Sequence, residues 1–254
     1  MTHCLKKEKN YSYIEAGEGT PIIVLHGLMG GLSNFDAVIN YFSQKGYKVI
    51  IPELPIYTMS LLKTNVKSFA KYLHDFIEFK GYDEVILLGN SLGGHIGLYH
   101  TKQYPAKVKA LIITGSSGLY ESAMGGSYPK RSDYELIKKK AQDVFYDPAV
   151  ATKEIVDEVY DTVNDRNKLI KTLAIAKSAI RHNMAKDLPK MNLPTCIIWG
   201  KNDTVTPPEV AEEFDSLLPD SELFWIDKCG HAAMMEHPVE FNQILDAWLQ
   251  KRGI

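Results

Sequence analysis

A serine between two glycines is the first residue of this sequence whose setting suggests chemistry. Ser91 lies between Gly89 and Gly93, and the apolar run 85–88 precedes this Gly-x-Ser-x-Gly stretch. A serine in a tight strand-to-helix turn has close backbone neighbours, and flanking glycines remove the Cβ atoms that would collide there. The turn also places the hydroxyl at a helix N-terminus, where the helix dipole favours developing negative charge. Ser91 is therefore a candidate nucleophile, although the same spacing also fits an ordinary loop between a strand and a helix.

Two later strand ends carry the polar groups that a nucleophilic serine needs. A serine hydroxyl is a weak nucleophile until a base takes its proton and a third group orients that base. Asp203 follows the apolar run 195–199, and His231 follows the last predicted strand, at 221–226. Asp203 is the candidate for the orienting acid, and Asp227, which follows the last predicted strand, is the alternative. The pattern predicts that Ser91 acts with His231 as its base.

Alternating strands and helices must position these side chains. Strands are predicted at 11–16, as an edge strand, and at 21–25, 47–52, 85–88, 109–114, 195–199 and 221–226. The helices between them imply a mostly parallel sheet that is covered on both faces. One of these helices is predicted to begin with Thr206 as its N-cap. Ligand sites in such sheets lie beyond the carboxyl ends of the strands, and every candidate polar residue follows a strand.

The alternation stops between residues 115 and 188, and this stretch is predicted to be a helical insertion. We expect a core domain formed by residues 1–114 and 189–254, and a helical cap formed by residues 115–188. Helices are predicted at 132–145 and 169–180, the second with one apolar face formed by Leu169, Leu173, Ala176 and Ile180. Several aromatic residues either line an apolar substrate pocket or form the insertion's own core: Tyr120, Tyr128, Phe145, Tyr146 and Tyr160.

Composition limits the classes of function. A net charge of −2 with interspersed lysines and acids argues against a nucleic-acid partner. No apolar run approaches the roughly 20 residues that span a bilayer, so we expect a cytoplasmic protein without a membrane partner, either monomer or homodimer. Three cysteines are too few for a disulfide framework, and Cys196 is expected in the core. Cys229 and His231 lack the paired spacing of zinc modules, so no metal site is expected.

The motifs together resemble those of the α/β-hydrolase superfamily, from about residue 11 to residue 249. They are His26-Gly27, Gly89-Asn90-Ser91-Leu92-Gly93-Gly94, Trp199-Gly200-Lys201-Asn202-Asp203, and Gly230-His231 with Glu236-His237-Pro238. The resemblance implies an α/β-hydrolase fold with a sheet of about eight strands and a cap between strands six and seven. It also implies Ser91 as nucleophile, His231 as general base and Asp203 as orienting acid. No cofactor is implied, because water is the second substrate.

The same resemblance implies the surroundings of the reacting carbonyl. The backbone N–H groups of Leu28 and Leu92 would form the oxyanion hole. Met29, Asn90 and Met234 are expected to line the substrate pocket. His26, which in the family is usually structural, is expected to support the oxyanion loop.

Three functions remain open within this superfamily. Asn90 and the run 229–237 resemble the carbon–carbon hydrolases of aromatic meta-cleavage pathways. Residues 26–31 depart from that subgroup's His-Gly-x-Gly-Pro-Gly, and Ala232 stands where the subgroup usually has tryptophan. No arginine of the insertion matches the subgroup's carboxylate-binding residue: Arg131, Arg166 and Arg181. We therefore predict hydrolysis of a small, largely apolar ester, with carbon–carbon hydrolysis or a receptor-like binding protein as alternatives.

Overall fold

A single sheet organises the protein in the computed structural model, which describes residues 3–120 and 131–254. The strands within these residues are β1 (Lys6–Glu8), β2 (Tyr11–Ala16), β3 (Thr20–Leu25), β4 (Tyr47–Pro52), β5 (Val85–Asn90), β6 (Val108–Thr114), β7 (Thr195–Gly200) and β8 (Ser221–Ile226). They pair in the order β1-β2-β4-β3-β5-β6-β7-β8. β2 pairs antiparallel with both β1 and β4, and all other pairs are parallel. The predicted mostly parallel sheet is confirmed.

The predicted edge position of β2 is wrong, because β1 pairs with its outer side. β1 is only three residues long and fully exposed, so it shows no apolar alternation that a sequence pattern could reveal. Its Lys6 lies 2.9 Å from the Glu15 carboxylate of β2. A short, charged strand protects a sheet edge from pairing with another chain.

Helices cover both faces of the sheet, which explains why the central strands are apolar throughout. Leu87 of β5 packs on one face, under α2 (Val66–Lys80), α3 (Leu92–Gln103) and α7 (Pro208–Leu217). Ile86 and Leu88 pack on the other face, under α1 (Asp36–Phe42), α8 (Ala233–Glu236) and α9 (Pro238–Arg252). No helix in the described ranges is both long and apolar enough to cross a membrane.

Between β6 and β7, the described residues form three α-helices: α4 (Tyr134–Gln142), α5 (Lys153–Asn164) and α6 (Arg166–Arg181). α5 was not predicted, because charged residues interrupt its apolar positions throughout. Its apolar residues nevertheless recur at helical spacing, and Val156 and Val163 are buried. The Thr152 side chain accepts a hydrogen bond from the Ile155 N–H, which caps the helix start.

The apolar face predicted for α6 is not the side of the helix that is buried. The side that packs on α5 and α2 carries Thr172, Ile175 and Ala179. Leu173 and Ile180 point outward and are 41% and 48% exposed. α6 has apolar residues on two sides, so periodicity could not select the buried one.

His100 of α3 is a buried group that makes folding sensitive to acid. Neither ring nitrogen has a hydrogen-bond partner among the described residues. Burial, with a smaller effect of nearby His74, lowers the pKa of His100 to about 3. An unfolded histidine has a pKa of about 6.5, so between these values the unfolded chain binds more protons than the folded one. The free energy of unfolding therefore falls as the pH drops below about 6.5.

His100→Leu should remove this contribution. Between pH 7 and pH 5 the wild-type protein should lose about 2 kcal/mol of stability through this group, and the variant should not. Urea unfolding at the two pH values measures the difference. His3→Leu, near the amino terminus, serves as the control and should keep the wild-type pH dependence. Equal losses in wild type and His100→Leu would contradict the prediction.

Candidate active site

Ser91 occupies the sharp turn between β5 and α3. Its backbone angles are φ 54° and ψ −120°, a conformation that residues other than glycine rarely adopt. A Cβ on Gly89 would lie 2.5 Å from the Gly93 carbonyl carbon, and one on Gly93 would lie 2.5 Å from the Leu25 carbonyl carbon. The glycines are thus required by close backbone approach, as their spacing predicts.

His231 is held by a buried carboxylate. Its Nδ1 lies 2.9 Å from Oδ2 of Asp203, and neither side chain is more than 6% exposed. Oδ1 of Asp203 accepts hydrogen bonds from the backbone N–H groups of Val205, at 2.8 Å, and Thr206, at 2.9 Å. These bonds fix the carboxylate, and the carboxylate fixes the imidazole.

Thr206 does not cap α7 as predicted. The N-cap position is Pro207, which makes no side-chain capping bond. The Thr206 hydroxyl instead donates to Oδ2 of Asp203 at 2.8 Å and lies 3.3 Å from Nδ1 of His231. A turn that starts at Asp203 brings the Thr206 hydroxyl close to the Asp203 carboxylate. The sequence pattern indicated only a helix start at Thr206, so this contact was not predicted. The signal that could have found it is the Asp-x-x-Thr spacing.

His231 and Ser91 both line a cavity of about 280 Å³, and the ring nitrogen of His231 that Asp203 does not hold is Nε2. This Nε2 is buried and has no hydrogen-bond partner in the described part of the chain. It is therefore available to take a proton from a group in the cavity. Asp227, the alternative acid, is 72% exposed and pairs with Lys201 at 3.7 Å.

The loop after β3 closes against the serine turn. The Gly30 N–H donates to the Gly27 carbonyl at 3.2 Å, and Met29 between them has φ 60°. A Cβ on Gly27 would lie 3.2 Å from Cβ of Ser91, so this loop packs directly on the serine. Leu28 and Met29 both line the cavity.

His26 supports this loop. Its Nδ1 bonds the Gly27 carbonyl at 2.9 Å, and its Nε2 accepts the Leu54 N–H at 3.0 Å. Burial lowers the pKa of His26, which favours the neutral ring. With both nitrogens occupied, His26 is unsuited to act as a base.

A family model described as the alpha/beta hydrolase fold matches residues 20–145 and 138–238. The chain belongs to the α/β-hydrolase fold family. These matches cover most of the strands and the insertion between β6 and β7.

Relatives within this α/β-hydrolase family differ in what they act on. A 2-hydroxy-6-oxononadienedioate/2-hydroxy-6-oxononatrienedioate hydrolase of Pseudomonas sp. is 28% identical, covering 91% of this chain and 88% of that protein. Lipase 3 of Moraxella sp. is 26% identical, covering 86% of this chain and 73% of that protein. The crystal structure of MGS-MChE2, an alpha/beta hydrolase enzyme from a lagoon-sediment metagenome, is 64% identical with a TM-score of 0.83, covering 99% of this chain and 100% of that one.

The cavity of this α/β-hydrolase has walls from the core and from the insertion. Besides Ser91 and His231, core residues that line it include Leu28, Met29, Asn34, Asn90, Thr204, Val205, Ala232 and Met235. Met235 lines the cavity, whereas the sequence analysis predicted Met234, which is buried in the core. α8 has only four residues, so no periodicity indicated which methionine faces inward. Leu92 is buried at the start of α3.

The insertion contributes apolar side chains from the end of α4, from the segment after it and from α5, the helix that sequence reasoning missed. Ile155 and Val159 line the cavity, and Phe145 joins them from the segment after α4. The other aromatic residues that the sequence suggested for the pocket do not line the cavity, as far as the structure describes them. Tyr120 and Tyr146 are exposed, and Tyr160 packs against Tyr134. Tyr128 lies outside the described residues.

The charged residues that line the cavity also differ from the arginines that the sequence suggested as carboxylate-binding residues. Arg131, Arg166 and Arg181 are exposed and none of them lines the cavity. Lys140 of α4 and Glu158 of α5 do. Within the described ranges, no group of three or more histidine, cysteine, aspartate or glutamate side chains could hold a metal ion.

Glu236 of α8 links the histidine loop to the insertion. One carboxylate oxygen accepts the Gly230 N–H at 2.5 Å, and the other accepts the N–H groups of Tyr146 and Asp147, at 2.7 and 2.9 Å. The His231 N–H donates to the Val144 carbonyl at 2.9 Å. Segment 144–147, whose Val144 and Phe145 form part of the cavity wall, is therefore bonded to the same loop that carries His231.

Glu236→Gln should weaken this link, because an amide supplies only one acceptor oxygen and places N–H donors against backbone donors. We expect kcat/KM to fall about 10- to 100-fold, the effect of losing hydrogen bonds to a charged group. Ester turnover measures it, and Glu240→Gln on α9 is the matched control. Activity of Glu236→Gln within twofold of wild type would show that the link does not position His231.

Proposed function

We propose that this α/β-hydrolase is a serine hydrolase that cleaves a carboxylic ester or related acyl bond of a small, largely apolar substrate. The observation that carries the proposal is the shared cavity: Ser91 and His231 both line it, and Nε2 of His231 has no hydrogen-bond partner among the described residues. Asp203 holds the opposite ring nitrogen, as an orienting acid must.

The proposed reaction has two halves. The Ser91 Oγ attacks the ester carbonyl carbon while Nε2 of His231 takes the hydroxyl proton. The C–O bond to the alcohol then breaks, the alcohol leaves with that proton, and an acyl-Ser91 ester remains. Water, deprotonated by His231, attacks this ester, and the carboxylic acid leaves as the proton returns to Ser91. The backbone N–H groups of Leu28 and Leu92 are proposed to stabilise the oxyanion in both halves.

The walls of the cavity support an apolar substrate of modest size. Residues 115–188 are proposed to act as the cap, and residues 1–114 and 189–254 as the core domain. Met29 and Met235 from the core line it together with Phe145, Ile155 and Val159 from the cap. A volume of about 280 Å³ is at the lower end of ligand pockets, which suits a short or medium acyl group.

Carbon–carbon hydrolysis is the second candidate. It is favoured by the 28% identity to a hydrolase named for a dienedioate, a doubly charged substrate. A carboxylate in a largely apolar pocket needs a cation beside it. Lys140 lines the cavity and could provide this charge, although it lacks the bidentate geometry of arginine.

Rates on matched substrates decide between these functions. We expect kcat/KM for p-nitrophenyl acetate, butyrate or octanoate to exceed that for a 2-hydroxy-6-oxo-dienoate. A dienoate preference of about tenfold or more, lost in Lys140→Ala, would establish carbon–carbon hydrolysis instead. A single slow turnover that leaves a long-lived adduct would indicate the receptor-like alternative.

A further inference from the structure

The outward side of α6 combines positive charge with exposed apolar side chains. The helix has 16 residues, among them five lysines or arginines and no acid. The side opposite the buried Thr172, Ile175 and Ala179 forms what we term the cationic face: Arg166, Ile170, Leu173, Lys177, Ile180 and Arg181. Its three aliphatic side chains are 41% to 48% exposed. Such a pattern is typical of helices that lie on a membrane surface.

A neighbouring turn extends this surface. Leu61 and Leu62, in the turn before α2, are 50% and 93% exposed. Leu62 borders a shallow groove together with Lys177 and Arg181. The Val66 N–H donates to Oγ of Ser178 at 3.2 Å, which holds the start of α2 against α6. The exposed leucines therefore belong to the same surface as the cationic face.

We propose that the cationic face and the Leu61-Leu62 turn dock this enzyme on an anionic phospholipid bilayer. The aliphatic side chains would enter the boundary between headgroups and acyl chains, and the basic side chains would contact lipid phosphates. The positive charge is local, since the whole chain has a net charge of −2. The nearest acid along the chain, Asp165, caps α6 through the N–H groups of Asn167 and Lys168.

Charge also argues against a second copy of the chain as the occupant. A symmetric dimer through this face would place two sets of like charges together, which is costly. The sequence predicted no membrane partner because it has no apolar segment long enough to span a bilayer. Docking on the membrane surface does not need such a segment.

Docking and catalysis can be tested separately, because no residue of α6 lines the cavity. Flotation would compare vesicles of phosphatidylcholine alone with vesicles of phosphatidylcholine and phosphatidylglycerol. Wild type should bind only the second kind, and high salt should release it. Lys177→Glu/Arg181→Glu should weaken binding at least about 30-fold, since each basic residue contributes about 1 kcal/mol.

Matched variants sharpen the test. Lys7→Glu/Lys190→Glu changes the net charge equally outside this surface and should keep wild-type binding. Leu62→Asp, which changes no basic residue, should weaken binding. All variants should turn over a soluble p-nitrophenyl ester at the wild-type rate, and this separates failed docking from failure of the proposed hydrolase function. Equal binding of wild type and Lys177→Glu/Arg181→Glu, or a concentration-dependent dimer that this variant abolishes, would overturn the proposal.

Discussion

Ser91→Ala should lower kcat for a p-nitrophenyl ester by about 10⁴- to 10⁶-fold, the effect of removing a catalytic nucleophile. Alanine keeps the Cβ of serine, so the strained turn with φ 54° meets no new contact. The lost hydroxyl faces a cavity, and its removal leaves no void in the packed core. The variant should therefore stay folded, with a melting temperature close to that of wild type.

Ser116→Ala is the matched control for this experiment. Ser116 is a buried serine that follows β6, and its hydroxyl donates to the Ser117 carbonyl rather than facing His231. Its loss should leave kcat within a few-fold of wild type. If Ser91→Ala retained most of the esterase activity, Ser91 could not be the nucleophile.

Asp203→Asn should have the next largest effect, about 10⁴-fold in kcat. Oδ1 accepts two backbone N–H groups, from Val205 and Thr206, so the amide oxygen of asparagine will take that position. The amide NH₂ then faces Nδ1 of His231, which must become an acceptor. The ring proton moves to Nε2, and that nitrogen can no longer take the proton of Ser91.

The matched control is Asp227→Asn, at the exposed carboxylate that pairs with Lys201. It should leave kcat unchanged. A larger loss in Asp227→Asn than in Asp203→Asn would reverse the assignment of the orienting acid. Melting temperatures of both variants show whether a loss of rate reflects unfolding.

The sheet and the serine turn could be predicted because their signals are local. β5 is a continuous apolar run, and the glycines around Ser91 have a steric reason that one stretch of chain contains. The partners Asp203 and His231 could be proposed because strand ends in a parallel sheet meet at one edge. These features depend on backbone geometry, which short patterns reflect directly.

The walls of the cavity were harder to predict, because they depend on how helices pack. α5 carries acids among its apolar residues, and α6 has apolar residues on two sides. Only tertiary contacts decide which side of such a helix is buried. The role of Thr206 was missed for a different reason, because two local signals compete in one stretch: a helix start after Thr206 and the Asp-x-x-Thr spacing, by which the hydroxyl bonds Asp203.

The bonds from Glu236 and His231 to segment 144–147 have a consequence for selectivity. A wall that is bonded to the loop of His231, the proposed general base, cannot withdraw from the cavity without releasing that loop. An acyl chain too long for the closed cavity would still enter, but it would hold the wall away and leave His231 poorly aligned. Chain-length discrimination would then appear mainly in kcat, and overlong esters would bind but react slowly, competing with the short ones.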